Sequence, residues 1–145
     1  MSSKEKTKAV IDYPSGTKPD PKIAAAISRR LKDGKLPCVR AFEIARELSV
    51  PLLHVGYTAD LLRVRISACQ LGLFGYEPQR CIVQVPVAAN AEMDHMIDQN
   101  LTNGRLPCAA AFTIAKALRI PRMDVSSACQ GRNIKVCTCQ LGAFG

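Results

Sequence analysis

Six of the seven cysteines fall into two related sets. Cys38 and Cys69 recur as Cys108 and Cys139, and the second set adds Cys129 and Cys137. Thiolates are ligands for zinc and for iron–sulfur clusters, so Cys108, Cys129, Cys137 and Cys139 are four candidate donors. Cys137 and Cys139 stand two apart, which on a strand would put both on one face. Their spacing departs from the paired Cys-x-x-Cys knuckle, and the first set has no counterpart of Cys129 or Cys137. Cysteine is also among the most buried residue types, so packed thiols come first, a metal or redox site second and disulfides third. No metal or cofactor is assigned, and zinc or an iron–sulfur centre stays open on those four thiols.

Other reactive groups are sparse. His54 and His95 are the two histidines, with no metal-ligand or triad spacing around either, and no Gly-rich phosphate loop is present. A non-enzymatic protein is therefore expected. The net charge of +8 and pI of 9.3 suggest a polyanionic partner. From Lys22 to Gly75 there are nine Lys or Arg against four Asp or Glu, and from Glu92 to Gly145 six against four. No apolar run approaches the ~20 residues of a membrane span, and the start lacks the apolar stretch of a secretory signal. With an odd cysteine count that a reducing compartment would leave as thiols, a cytoplasmic protein with no membrane partner is expected.

The elements that must carry these residues are written twice. An offset of 70 residues lays Gly34–Pro51 (GKLPCVRAFEIARELSVP) over Gly104–Pro121 (GRLPCAAAFTIAKALRIP), and the register continues without a gap from CQLGLFG at Cys69 to CQLGAFG at Cys139. Upstream, KAVIDYP (Lys8–Pro14) resembles RCIVQVP (Arg80–Pro86), each a β-prone run closed by proline. Asp20 before Pro21, and Asn90, have N-cap chemistry. A first helix buries Ile23, Ile27 and Leu31, or Met93, Ile97 and Leu101, with Gly34 or Gly104 as its stop. After an extended Leu-Pro step, Ala41, Ile44, Ala45 and Leu48 (Ala111, Ile114, Ala115 and Leu118) give a second apolar face. A third helix opens near Pro51 or Pro121 and turns Val55, Ala59 and Leu62, or Val125, Ala128 and Cys129, inward. The alternation in Arg63–Ala68 and Asn133–Thr138 then predicts a closing strand.

This order, with small Ala45 and Ala115, apolar Leu48 and Leu118, Val50 and Ile120 after a turn, and Val55 and Val125 in the third helix, resembles the helix-turn-helix of bacterial and archaeal transcription regulators, in its winged-helix form. The match spans about 20 residues in each copy. One departure is that Ser49 and Arg119 stand where the turn usually has glycine. The resemblance implies an α+β, mainly helical fold: two tandem winged-helix-like units, each strand, three helices, strand. The expected divisions are a flexible basic arm at 1–7, repeat 1 at 8–75, a linker or wing turn at 76–79, and repeat 2 at 80–145. Whether strand 80–85 pairs with repeat 1 or repeat 2 stays open.

Double-stranded DNA is the partner the resemblance implies, with the third helix in a groove and a role in transcription regulation. On that expectation the outward face in repeat 2 holds Met123, Ser126, Ser127 and Gln130, with Arg122 at the helix start and Arg132, Asn133 and Lys135 beyond its end. The predicted DNA contacts are Arg122, Ser126, Ser127, Gln130, Arg132 and Lys135, joined by Arg63 and Arg65 of repeat 1. Arg29, Arg30, Lys32, Lys35 and Arg40, and the arm residues Lys4, Lys6 and Lys8, are further candidates to track a backbone. Repeat 1 differs at the equivalent face, which holds Leu53, Gly56, Tyr57, Asp60 and Leu61, with Leu53, Tyr57 and Leu61 as an apolar stripe. That stripe predicts a protein contact, to a second subunit or another partner, unless the three residues belong to the core. The alternative function is a protein-interaction or adaptor module on the same scaffold without DNA binding.

Overall fold

The computed structural model describes residues 17–84 and 90–145. The described residues are mainly helical with small sheets and divide into two compact units. Of the described residues, 17–69 with Gln140–Gly145 form unit 1, and 70–84 with 90–139 form unit 2. The units therefore differ from the sequence repeats in one respect: the six residues after Cys69 belong with the second set of helices, and the six after Cys139 with the first.

In unit 1, helix α1 (Pro21–Arg29) starts where Asp20 accepts hydrogen bonds from the Lys22 and Ile23 backbone N–H groups at 2.8 and 3.1 Å. Those bonds satisfy two of the donors that a helix start leaves free. The buried stripe is Ile23, Ala26 and Ile27, whereas Leu31 is 40% exposed, because α1 ends two residues before it. Gly34 does not stop α1 as expected. It is the second residue of a reverse turn in which Lys32 and Lys35 bond each other in both directions, at 2.7 and 3.0 Å. Asp33 and Gly34 have φ of 52° and 76°, the two consecutive positive angles that a two-residue hairpin turn requires.

Two longer helices follow, α2 (Cys38–Leu48) and α3 (Leu52–Leu61), and α1 packs on both. Strand β1 (Leu36–Pro37) pairs in parallel with β2 (Ile66–Ser67), in the register Leu36 to Ile66. The core is Ile23, Ile27, Leu36, Ala41, Ile44, Val55 and Ala59. Each fully buried Ile or Leu is worth roughly 1.5–3 kcal/mol against exposure, which is why short helices of modest intrinsic propensity hold here. Residues 140–145 complete the unit, with Leu141 and Phe144 only 1% and 3% exposed.

Unit 2 repeats the plan with α4 (Ala91–Gln99), β3 (Leu106–Pro107), α5 (Cys108–Leu118), α6 (Arg122–Gly131) and β4 (Val136–Cys137), and β3 pairs in parallel with β4. Asn90 caps α4 by accepting from Met93 N–H at 3.0 Å. The Thr102–Arg105 turn has the same two positive angles, 52° at Asn103 and 78° at Gly104. Met93, Ile97, Leu106, Ala111, Ile114, Val125 and Cys129 form the core, and Leu71 is buried with them.

Positive backbone angles also recur at Ser49 and Arg119, at Arg63 and Asn133, at Ala68 and Thr138, and at Gly72 and Gly142, always 70 residues apart. The first pair settles the glycine departure. Ser49 (φ 54°, ψ 45°) and Arg119 (φ 56°, ψ 47°) end α2 and α5 in the left-handed conformation that glycine would reach without strain. Their N–H groups, with those of Val50 and Ile120, turn back to the last carbonyls of the helix and close it.

The expected closing strands are shorter than the alternation suggested, two residues each, and their partner is the Leu-Pro step before the second helix. The expected strand 80–85 is absent over 80–84, where only an isolated bridge joins Tyr76 to Arg80. Residues 85 and 86 lie outside the described residues, as do the arm 1–7, the strand 8–14 and Lys4, Lys6 and Lys8. Among the described residues no helix is long and apolar enough to cross a membrane.

Candidate functional site

Helix α6, the expected reader, offers less surface than its sequence promised. Ser126 is buried at 1% exposure, and its Oγ donates to the Leu71 carbonyl at 2.7 Å. Ser126 is therefore not an outward DNA contact: its hydroxyl satisfies a carbonyl inside unit 2, although Val125, Ala128 and Cys129 turn inward as expected. Met123 packs over Gly72, where a Cβ would meet its side chain at 3.0 Å. Ser127 is half-buried, while Arg122, Asp124 and Gln130 are exposed. Asp124 adds a negative charge at the start of that surface.

Two of the predicted cations are occupied within unit 2. The Arg132 guanidinium binds Asp98 Oδ1 at 2.8 Å and approaches Asp94 Oδ1 at 3.7 Å, both on α4. The bond to Asp98 raises the pKa of Arg132 above its ordinary value. Arg132 thus ties the end of α6 to α4 while remaining exposed. Arg122 hydrogen-bonds Gln70 and lies 4.3 Å over the Phe112 ring, a cation–π contact. In unit 1, Arg30 is paired with Glu43 and Glu47, and Arg40 with Glu43 at 2.7 Å.

The cations that remain outward gather at one edge of each parallel pair. Leu36 N–H donates to the Arg65 carbonyl at 2.8 Å, which sets Arg65 beside the Lys32–Lys35 turn, with Arg63 two residues before it. Leu106 N–H donates to the Lys135 carbonyl at 2.9 Å and sets Lys135 beside Arg105. Lys32, Arg63, Arg65, Arg105 and Lys135 are all exposed. None of the five has an ion-pair partner among the described residues, and Asp33 is the single carboxylate within these turns. Such an edge can lie along a row of phosphates. Arg105 was missed in the sequence. Had the Leu-Pro step been taken as one strand of a pair with residues 63–68 and 133–138, the juxtaposition would have followed.

On α3, Leu53 is 50% exposed, while Tyr57 and Leu61 are half-buried and Asp60 lies between them. The stripe is thus split between solvent and core. The His54 ring stands 6.3 Å from that of Tyr57, centroid to centroid, and both His54 and His95 are exposed.

The cysteines do not gather. Among the described residues no three His, Cys, Asp or Glu side chains come together as a metal-holding group, so Cys108, Cys129, Cys137 and Cys139 do not form a four-thiolate centre. Cys38, Cys69 and these four are buried free thiols, and Cys81 is exposed. Burial pushes the Cys129 thiol up to about 11, against a smaller lowering by Arg132. It is a protonated core group at neutral pH.

Compared with protein-family models, with curated proteins and with solved structures, the chain matches none.

Proposed function

We propose that this chain binds double-stranded DNA as a transcription regulator, as two helix-turn-helix units of winged-helix-like type. The backbone contacts come from the basic edges: Lys32, Arg63 and Arg65 in unit 1, Arg105 and Lys135 in unit 2. Gln130 and Ser127 of α6 are the groups left to reach base edges, because an amide and a hydroxyl can each pair with them. The reading draws on the helix-turn-helix part of the resemblance; the short strands pair in parallel and do not form a wing hairpin. The observation that supports it is the recurrence, 70 residues apart, of a left-handed helix-to-helix turn together with an exposed cation at Arg65 and Lys135. No catalytic role is proposed.

The test is fluorescence anisotropy with duplex DNA. Arg63→Ala/Arg65→Ala should weaken binding to all sequences alike and flatten the salt dependence by about one unit per contact. Gln130→Ala should relax sequence preference. If the double change leaves both affinity and salt slope as they were, the edge is not a DNA contact.

A second reading follows from Leu53, half exposed on α3. A protein partner covering it would make the chain an adaptor, and Leu53→Asp would then abolish a complex while leaving DNA affinity unchanged.

A further inference from the structure

Among the aligned positions at which the third helices of the two units differ is the pair Gly56 in α3 and Ser126 in α6. Each faces the leucine carbonyl of a Cys-Gln-Leu-Gly-x-Phe-Gly segment, Leu141 for Gly56 and Leu71 for Ser126. In unit 2, the Leu71 carbonyl accepts the Ser126 hydroxyl at 2.7 Å. In unit 1, the Leu141 carbonyl lies directly on the Cα of Gly56: a Cβ there would stand 2.7 Å from the Leu141 carbonyl carbon, 3.1 Å from its Cα, and nearer still to its oxygen. Backbone atoms cannot rotate away as a side-chain tip can, so only glycine admits the segment in this position. The rest of the segment is shaped for the place. Leu141 and Phe144 are buried, and Gly142 supplies the left-handed turn (φ 78°) between them.

Gly56 is otherwise hard to explain. It lies in the interior of a ten-residue helix at normal helical angles, where alanine is the favoured small residue. Its cost is offset by the close approach it permits. The segment it admits, residues 140–145, follows unit 2 at Cys139 and carries two large apolar side chains, Leu141 and Phe144.

We propose that the face of α3 around Gly56 is a receptor for the Gln-Leu-Gly-x-Phe segment, and that the same segment of a second copy of this chain can occupy it in trans. A chain whose own residues 140–145 are displaced would then complete unit 1 by exchange with its neighbour, as in domain swapping. The proposal does not depend on DNA binding.

The experiment pairs two variants. One ends at Cys139 and so has an open receptor; the other is the full chain with Gly56→Ala, which keeps the segment but has no place for it. Mixed, they should form a one-to-one complex by size exclusion with light scattering, which neither reaches when mixed with wild type. A synthetic peptide of residues 140–145 should also bind the shortened chain saturably, and at least ~10-fold more weakly once Gly56→Ala is added. Should the shortened chain fail to fold alone, the peptide should restore its far-ultraviolet circular dichroism.

Gly56→Ala should further act with opposite sign in the two backgrounds. It should lower the melting midpoint of the full chain, but raise that of a folded shortened chain by about 2–4 °C, because alanine is the better helix former. Absence of both complex and peptide binding, or peptide binding indifferent to Gly56→Ala, would overturn the proposal.

Discussion

The Ser126 hydroxyl reaches the Leu71 carbonyl at 2.7 Å in the interior of unit 2, 55 residues away along the chain. This bond fixes the rotation of α6 about its own axis. It turns Val125, Ser126, Ala128 and Cys129 inward and leaves Gln130 and the half-buried Ser127 to face out. Ser126→Ala would leave a buried carbonyl without that donor, a loss of about 1–2 kcal/mol. The urea midpoint should fall accordingly while DNA affinity stays at the wild-type value. A variant with unchanged midpoint and weakened DNA binding would return Ser126 to the surface.

Ser49 carries the strain of the first helix-to-helix turn. A non-glycine residue in the left-handed region costs roughly 1–2 kcal/mol, part of which glycine returns through its freer unfolded chain. Ser49→Gly should therefore stabilise by about 0.5 kcal/mol, whereas Ser49→Val, β-branched at positive φ, should destabilise by about 1–2 kcal/mol. Denaturant titration of both variants checks the pair of signs, and a stabilising valine would contradict the left-handed turn.

Cys129 supplies a pH dependence whose sign is fixed by burial. Its folded value of about 11 lies above the ordinary 9.0, so the protonated thiol is the form the core favours. Its contribution is complete below pH 9 and is lost as pH rises towards 11, up to about 2–3 kcal/mol at 1.36 kcal/mol per unit. Cys129→Ala, which places in repeat 2 the residue that repeat 1 has at Ala59, should flatten that alkaline decline. In thiol labelling at neutral pH, exposed Cys81 should react first and Cys129 among the last.

Arg132 and Lys135 stand three residues apart with different assignments. Arg132 is engaged by Asp98 and Asp94, and Lys135 is outward at the basic edge. Lys135→Ala should weaken DNA binding more than Arg132→Ala, and Arg132→Ala should lower thermal stability more than Lys135→Ala. The two rankings come from anisotropy and calorimetry on the same samples. An Arg132 variant with the larger DNA defect and an unchanged melting point would reverse the assignment.

Much of this architecture is legible in the residues. The 70-residue offset, the caps at Asp20 and Asn90, the inward residues Ile44, Val55, Ile114 and Val125, and the locations of the helices all follow from periodicity and capping chemistry, which are local. What was not legible depends on tertiary partners. Gly34 and Gly104 read as helix stops because a glycine after an apolar stripe serves either purpose, and the mutual bonds of Lys32 with Lys35 and of Thr102 with Arg105 distinguish them. Ser126 and Arg132 have the chemistry of groove contacts, and nothing near them in sequence announces Leu71 or Asp98. The placement of 140–145 against Gly56 was hidden because a heptapeptide reads identically whichever unit it completes. The unexplained helical glycine was its one trace.

The salt dependence of duplex binding tests the DNA proposal most directly. If Lys32, Arg63, Arg65, Arg105 and Lys135, with one further cation, neutralise about six phosphates, log affinity against log salt should fall with a slope near −5, at about 0.9 per contact. Losing Arg63 and Arg65 leaves about four contacts and should bring that slope to about −3.6. A flat response in the wild-type protein would contradict DNA binding outright.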